Sequence, residues 1–286
     1  MHKIQYNGKE ILPPKSDIVF KSIFGIEPND RLVDFLNNIL DLNISNKDEI
    51  SICNPEIDKQ KESDKFSRLD LKIKTKDSII DLEIQVINEN NNIQRSLYYL
   101  SCLIKDSEPI GSKYDHLTTS IVIFICDFII RDTDSEYHEI YKFIGSKTGS
   151  DLNFPARIHF IELPKFNKKC QIEDRNKWMH FLTINDKMEL EKVKEQDSIM
   201  NDTIEKLLYI SADDKLVMEY EARLNAIRDE ERRINSSFSA GVKEGRLEGR
   251  LEGKIEIAKK MKSLEQDINF IIELTGLTEE EINNIK

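Results

Sequence analysis

Asp70, Glu83 and Gln85 are the residues of this chain whose types and spacing suit chemistry on a phosphate. Two carboxylates beside a third polar group can hold a divalent metal against a phosphodiester. The three fall on two strand-like stretches, Phe66–Lys74 and Ile79–Val86. Side chains alternate faces along a strand. Leu69, Leu71 and Ile73 therefore share one face of the first stretch, and Asp70, Lys72 and Lys74 the other. In the second, Leu82, Ile84 and Val86 oppose Asp81, Glu83 and Gln85. Lys76, Asp77 and Ser78 suit a turn. A turn centred between Asp77 and Ser78 sets Asp70 across from Gln85 and Lys72 across from Glu83, with opposed Cβ atoms about 4.5–5.5 Å apart. From periodicity alone, a solvated hairpin with ordinary cross-strand Lys–acid pairs is the simpler reading.

The elements that would position these residues begin with Leu12–Pro13–Pro14–Lys15–Ser16–Asp17 and the apolar-periodic Ile18–Gly25. Ser16 or Asp17 can cap the helix that runs through Phe20 and Phe24. A helical stretch follows Asn92 and places Arg95 and Tyr99 four apart on one face, where an arginine can clamp a phosphate. The alternative is an amphipathic helix with Leu97 and one of Tyr98 and Tyr99 packed on a sheet. Strands are expected near Ile121, over Tyr137–Ile144 and over Arg157–Leu163.

These strings resemble, in order, the Rpn family of recombination-promoting nucleases, transposase-like members of the PD-(D/E)XK superfamily. The resemblance runs from Leu12 to Gly25 and through Asn54–Pro55, Leu69–Lys72, Leu82–Val86 and Arg95–Tyr99 to His159–Phe166. It implies an α/β fold: a restriction-endonuclease-like mixed sheet core flanked by helices, followed by a mainly helical C-terminal region. It also implies a DNA endonuclease that uses Mg²⁺, with Mn²⁺ as a substitute, and promotes recombination. Asp70 and Glu83 match the two acids of the superfamily motif, and the resemblance implies that they hold the metal together with the backbone carbonyl of Ile84. Gln85 stands where many superfamily members carry lysine. It can donate and accept hydrogen bonds but carries no charge. Asp17, Lys72, Arg95 and Tyr99 are accessory candidates. A non-catalytic DNA-binding protein of nuclease descent, and a toxin or phage-defence effector using the same cleavage, are the competing readings.

Composition bounds these expectations. A chain of 286 residues, 39% hydrophobic, supports a real core and more than one structural unit. The longest apolar run, Ile121–Ile130, is broken by Asp127 and is too short to span a bilayer. No secretory signal is apparent, and Cys53, Cys102, Cys126 and Cys170 lack the paired spacing of a zinc or redox motif. A reduced, cytoplasmic protein without a membrane partner is expected. The net charge of −11 opposes DNA binding. Basic clusters at Lys59–Lys76 and Arg228–Lys262 are the candidate strand-tracking surfaces, so modest, salt-sensitive binding is expected.

Three regions are expected: a nuclease-like domain over 1–166, a helical region over 167–240, and a repeat helix with a terminal helical hairpin over 241–286. The repeat, from Gly241 to Glu256, places glycine, basic, apolar and acidic residues at a period of four. Each interior glycine costs a helix about 0.8–1.0 kcal/mol against alanine. The stripe is expected to pack on a second helix, as in a homodimer formed through the C-terminal helices. Gly276, and Thr278 with Glu281, mark the end of one terminal helix and the capping box of the next. The Glu279–Glu281 run suits an interaction hairpin better than a DNA-reading one.

Overall fold

The computed structural model describes residues 4–53, 71–107, 117–132 and 136–285, with the side chains of 230, 231 and 234 left aside. Asp70 lies outside these residues, as do the expected strand positions before Leu71 and the lysines at 59, 61 and 65. The chain forms two compact units, Met1–Tyr220 and Glu221–Lys286.

In the first unit, β1 (Ile4–Tyr6) and β2 (Lys9–Ile11) form an antiparallel hairpin. It turns at Asn7 (φ 49°) and Gly8 (φ 78°), the pair of left-handed residues that a tight hairpin turn requires. Two helices follow, α1 (Asp17–Phe24) and α2 (Asp30–Leu40). The main sheet comprises β3 (Ser51–Ile52), β4 (Leu71–Lys74), β5 (Ser78–Gln85), β6 (Thr119–Cys126), β7 (His138–Tyr141) and β8 (Ala156–Glu162), in the order β3-β4-β5-β6-β8-β7. β5, β6 and β8 run parallel, while β3, β4 and β7 pair antiparallel at the sides. The central strands read as nearly continuous apolar runs because both of their faces are covered; Ile121 to Cys126 are all 0% exposed. The crossover from β5 to β6 carries α3 (Asn92–Asp106). Tyr99, Leu100 and Leu103 of α3 pack on Ile79, Val122, Phe124, Ile158 and Phe160 of the sheet.

α4 (Lys177–Leu182), α5 (Lys187–Lys194) and α6 (Ser198–Ser211) belong to this same unit. They do not form a separate helical region starting at residue 167. Trp178 explains the attachment. Its ring lies 5.3 Å from Phe24 and 5.6 Å from Phe35, and its indole N–H donates to Asp34 Oδ2 at 2.6 Å. Beside it, buried Lys177 contacts Asp34, Asp174 and Asp197 at 2.7–3.0 Å. Burial works against the ammonium, but these carboxylates outweigh it and hold the pKa of Lys177 above its ordinary value.

α7 (Asp214–Ser263) is a single 50-residue helix, so the glycine repeat has no break before it at residue 240. In the second unit its C-terminal part meets α8 (Ile268–Thr275) and α9 (Glu279–Asn284) through Ala258, Ile271, Leu277 and Ile282. Gly276 ends α8 at φ 67°, and Thr278 and Glu281 form the capping box. Around Gly241, Gly245, Gly249 and Gly253 an added Cβ meets nothing within 4 Å among the described residues. Within one chain, therefore, no described backbone uses the close approach that the stripe allows. No helix among the described residues is long and apolar enough to cross a membrane.

Candidate active site

The site is built on β5, and its register differs from expectation. Leu71 pairs with Leu82, Lys72 with Asp81, Ile73 with Ile80 and Lys74 with Ile79. Lys72 thus faces Asp81 rather than Glu83. Thr75 sets the difference: its Oγ1 accepts from the backbone N–H groups of Asp77 and Ser78 at 3.3 and 3.0 Å, closing the turn one position earlier. The partners therefore slip by two residues. A slip of two preserves faces, whereas a slip of one would exchange them. Asp81, Glu83 and Gln85 consequently share a face, as their alternation predicts.

That face is not the solvated one. Asp81 is 0% and Glu83 1% exposed. Isolated charges are expensive to bury, so carboxylates at this depth require partners. Gln85 Nε2 donates to Glu83 Oε2 at 3.1 Å, and Arg95 Nη1 donates to Gln85 Oε1 at 3.1 Å. Arg95 Nη2 stands 4.0 Å from Glu83 Oε2 and donates to the Tyr99 hydroxyl at 3.2 Å, while Nη1 reaches Glu89 at 3.4 Å. The guanidinium also lies over the rings of Tyr99 and Phe124, 5.7 and 6.0 Å from their centroids. Arg95 and Tyr99 meet because residues four apart on α3 are neighbours. Burial opposes the Arg95 charge, but Tyr99, Glu83 and Glu89 outweigh it and raise its pKa. Burial, with the Glu83 charge added, pushes the Tyr99 phenol up to about 12.

The other accessory candidates have local partners. Lys72 Nζ lies 2.5 Å from Asp106 Oδ2, at the end of α3, and its cross-strand partner is Asp81. Ser16 occupies the cap position of α1 and accepts from the Val19 N–H at 3.4 Å. Asp17 is the first helical residue, and its Oδ1 accepts from the Ile18 N–H at 3.0 Å. On α3, Tyr99 packs on the sheet, whereas Tyr98 (42%) and Leu97 (52%) are exposed, so the expectation that Leu97 packs there is wrong.

Sequence reasoning assigned no role to Lys15, Asp127, Glu162 or Lys165, which form two ion pairs near the carboxyl ends of the parallel strands. Gln85, Cys126 and Glu162 are in register across β5, β6 and β8. Glu162 pairs with Lys165 at 2.7 Å, both nearly buried. Lys15 Nζ meets Asp127 Oδ1 at 2.7 Å, and the Asp127 backbone N–H donates to the Gln85 carbonyl at 2.9 Å. The start of α1 is thereby tied to the ends of β5 and β6. Lys15, Glu162 and Lys165 lie within the strings that carry the family resemblance. Asp127, interrupting an apolar run, was itself a signal. Burial, reinforced by Glu162, pushes the Cys126 thiol between them up to about 12, so it is inert at neutral pH.

The chemistry available is that of oxygen donors beside a fixed cation at one end of a parallel sheet. The model of the PD-(D/E)XK nuclease family transposases matches residues 14–237, and the chain belongs to that family. No curated protein and no solved structure matches it.

Proposed function

We propose that this member of the family is a DNA endonuclease that hydrolyses phosphodiesters with a divalent metal held by Asp70, Glu83 and the Ile84 backbone carbonyl. The observation that carries the reading is Glu83. Its carboxylate is 1% exposed yet is held in a row with Gln85 and Arg95 at the carboxyl ends of parallel strands. Buried polar groups of this kind, poorly suited to stability alone, concentrate at functional sites. The donors are all oxygens, which suits a hard cation such as Mg²⁺, or Mn²⁺ in its place, rather than zinc. Among the described residues no three of His, Cys, Asp and Glu gather as a metal site. The reading therefore depends on Asp70, which directly precedes Leu71 in the chain. When bound, the metal supplies Lewis-acid polarisation of the scissile phosphate and a water of lowered pKa.

The chain's own residues then have distinct tasks. Glu83 is the carboxylate ligand, oriented by the Gln85 amide. Arg95 aligns Gln85 through one nitrogen and is steadied by Tyr99 through the other. Its side chain is 20% exposed, which leaves an edge of the guanidinium open to a phosphate. Gln85 carries no charge, so it orients groups and neutralises nothing. We assign self-association to the second unit, whose glycine stripe meets nothing among the described residues of its own chain, and promotion of recombination to the cleavage itself.

The test is cleavage of supercoiled plasmid with Mg²⁺, Mn²⁺ or EDTA by wild type, Asp70→Ala and Glu83→Gln. Metal-dependent nicking that both substitutions abolish supports the reading. Cleavage equal in all three proteins places the chemistry elsewhere. Folded protein that retains DNA without metal and never cuts it is a binding protein of nuclease descent. Light scattering on the full chain tests the dimer, and a monomer mass removes that part of the proposal.

A further inference from the structure

A second cluster of reactive side chains is built around Cys170, in the turn that follows β8. Its Sγ lies 3.6 Å from Nε2 of His180 on α4, and Asn176 Nδ2 donates to the same sulfur at 3.6 Å. The asparagine is fixed independently. Its Oδ1 accepts from the Glu173 N–H at 2.8 Å, and its Nδ2 also donates to the Gln171 carbonyl at 3.0 Å. His180 is only 8% exposed, and its ring is held edge-on to Phe166, 4.9 Å between centroids. Burial and Lys168, only partly opposed by Glu189, lower the His180 pKa and favour the neutral imidazole; in the tautomer protonated at Nδ1, Nε2 faces the sulfur as an acceptor.

Both residues line a cavity of about 730 Å³. Lys168, Lys169 and Lys192 line it with Glu189 and Glu195, an excess of one positive charge, and Lys168 is held by Glu189 at 2.9 Å, which leaves Lys169 and Lys192 as the cations that can meet a ligand. The four free cysteines differ sharply. Cys126 is buried beside Glu162, whereas Cys170 is partly exposed and combines an imidazole, an amide donor and a cavity large enough for a small molecule. A thiol near a base and cationic side chains is the environment in which cysteines react.

We propose that Cys170 is a thiol-modification site at which, with His180 as base, the thiol exchanges with a small carboxylate-bearing disulfide of the glutathione class. The thiol proton passes to His180 Nε2, and the sulfur attacks one sulfur of the disulfide. The S–S bond breaks, a mixed disulfide forms on Cys170, and the second sulfur leaves as a thiolate that takes the proton from His180. The protein sulfur is oxidised and the departing sulfur reduced, so no further oxidant is needed. Lys169 and Lys192 receive the carboxylates of the incoming disulfide.

The experiment treats the full chain with oxidised glutathione and, separately, with the uncharged hydroxyethyl disulfide. Labelling rates at Cys53, Cys102, Cys126 and Cys170 are read by peptide mass spectrometry. Cys170 is expected to form the glutathione adduct about tenfold faster than the partly exposed Cys53 and Cys102. The advantage should shrink with the uncharged reagent and disappear in His180→Gln. Cys170 reacting no faster than Cys53 and Cys102 in wild type overturns the proposal, and that comparison needs no variant to fold. An equal advantage with both reagents overturns the assignment of the lysines. An advantage that survives in folded His180→Gln overturns the role of the imidazole.

Discussion

Replacing Gln85 with lysine would install the residue that the proposed nuclease reading expects at this position, and here the expected result is loss. Gln85 is a two-sided connector: its N–H group serves Glu83 and its carbonyl serves Arg95, each at 3.1 Å. An ammonium keeps the first bond and strengthens it with charge. It cannot make the second, because it has no acceptor. It also sets a second cation beside the guanidinium. Two charges 4 Å apart interact by about 4 kcal/mol at an effective dielectric of 20. The new attraction to Glu83 offsets most of that repulsion, and the lysine stem can swing toward solvent. What remains is one lost hydrogen bond to a charged donor, roughly 1.5–3 kcal/mol in buried settings. Gln85 is half-buried, so about 1.5 kcal/mol is the better figure, a fall of roughly 3–6 °C in melting temperature for a unit of this size. Thermal melts and plasmid cleavage on the same preparation test this. Gln85→Lys should melt lower and cleave no faster than wild type, with Gln85→Met at least as impaired. A Gln85→Lys protein that melts normally and cleaves tenfold faster would refute the connector argument.

Arg95→Met removes the hydrogen bonds to Gln85, Glu89 and Tyr99 and strips Glu83 of a cation; a loss of roughly 2–3 kcal/mol and of about 100-fold in cleavage is expected, checked by denaturant melts and single-turnover cleavage. Tyr99 provides a pH signature: its folded pKa of about 12 exceeds the ordinary value of 10.0, so between these values the native state keeps a proton that the unfolded chain loses. Stability should therefore fall as pH rises through that window, and Tyr99→Phe should flatten this fall in melts taken from pH 9 to 12. For the repeat, Gly245→Ala with Gly249→Ala should stabilise a solvent-facing helix by about 1–2 kcal/mol in total. If the stripe is instead the contact between two copies, the same pair should weaken the dimer, so melts and light scattering together decide.

Much of the site could be read from the sequence because alternation along a strand survives errors of register. Asp81, Glu83 and Gln85 share a face whether the hairpin turns at Thr75–Asp77 or one residue later, and Arg95 and Tyr99 meet because a helix brings residues four apart together. What escaped were facts of depth and of distance along the chain. Nothing local tells Asp81 from a surface acid; α3 covers it only because the crossover from β5 to β6 lays that helix on this face. Lys15 reaches Asp127 across 112 residues, and Trp178 reaches Asp34 across 144. The sequence suggests a boundary after residue 166, yet the aromatic cluster of Phe24, Phe35 and Trp178 makes the following helices part of the same core. Cys170 and His180 are ten apart and were invisible to any rule about paired spacing.

The acidic total of the chain bears on encounter with DNA more than on events at the site. Charges separated by more than about 8–10 Å are largely screened at physiological ionic strength, so the −11 chiefly slows association and weakens non-specific affinity. At the carboxyl ends of the parallel strands, charge is locally matched: Arg95 with Glu83 and Glu89, Lys15 with Asp127, Lys165 with Glu162. A phosphate arriving there must exchange with a carboxylate. Lys15 and Asp127 are about one-fifth to one-quarter exposed and form one simple contact, the kind of pair that contributes about 0–1 kcal/mol, so Lys15 can turn to a phosphate at little cost. Lys165, more enclosed, turns less easily. Arg95 is fixed by Gln85 and Tyr99 as well as by its carboxylates, so under the proposed function it would hold position for an incoming phosphate. The same burial that makes the Glu83–Gln85–Arg95 row costly to fold keeps its geometry set in advance, which is what the proposed cleavage would require of it.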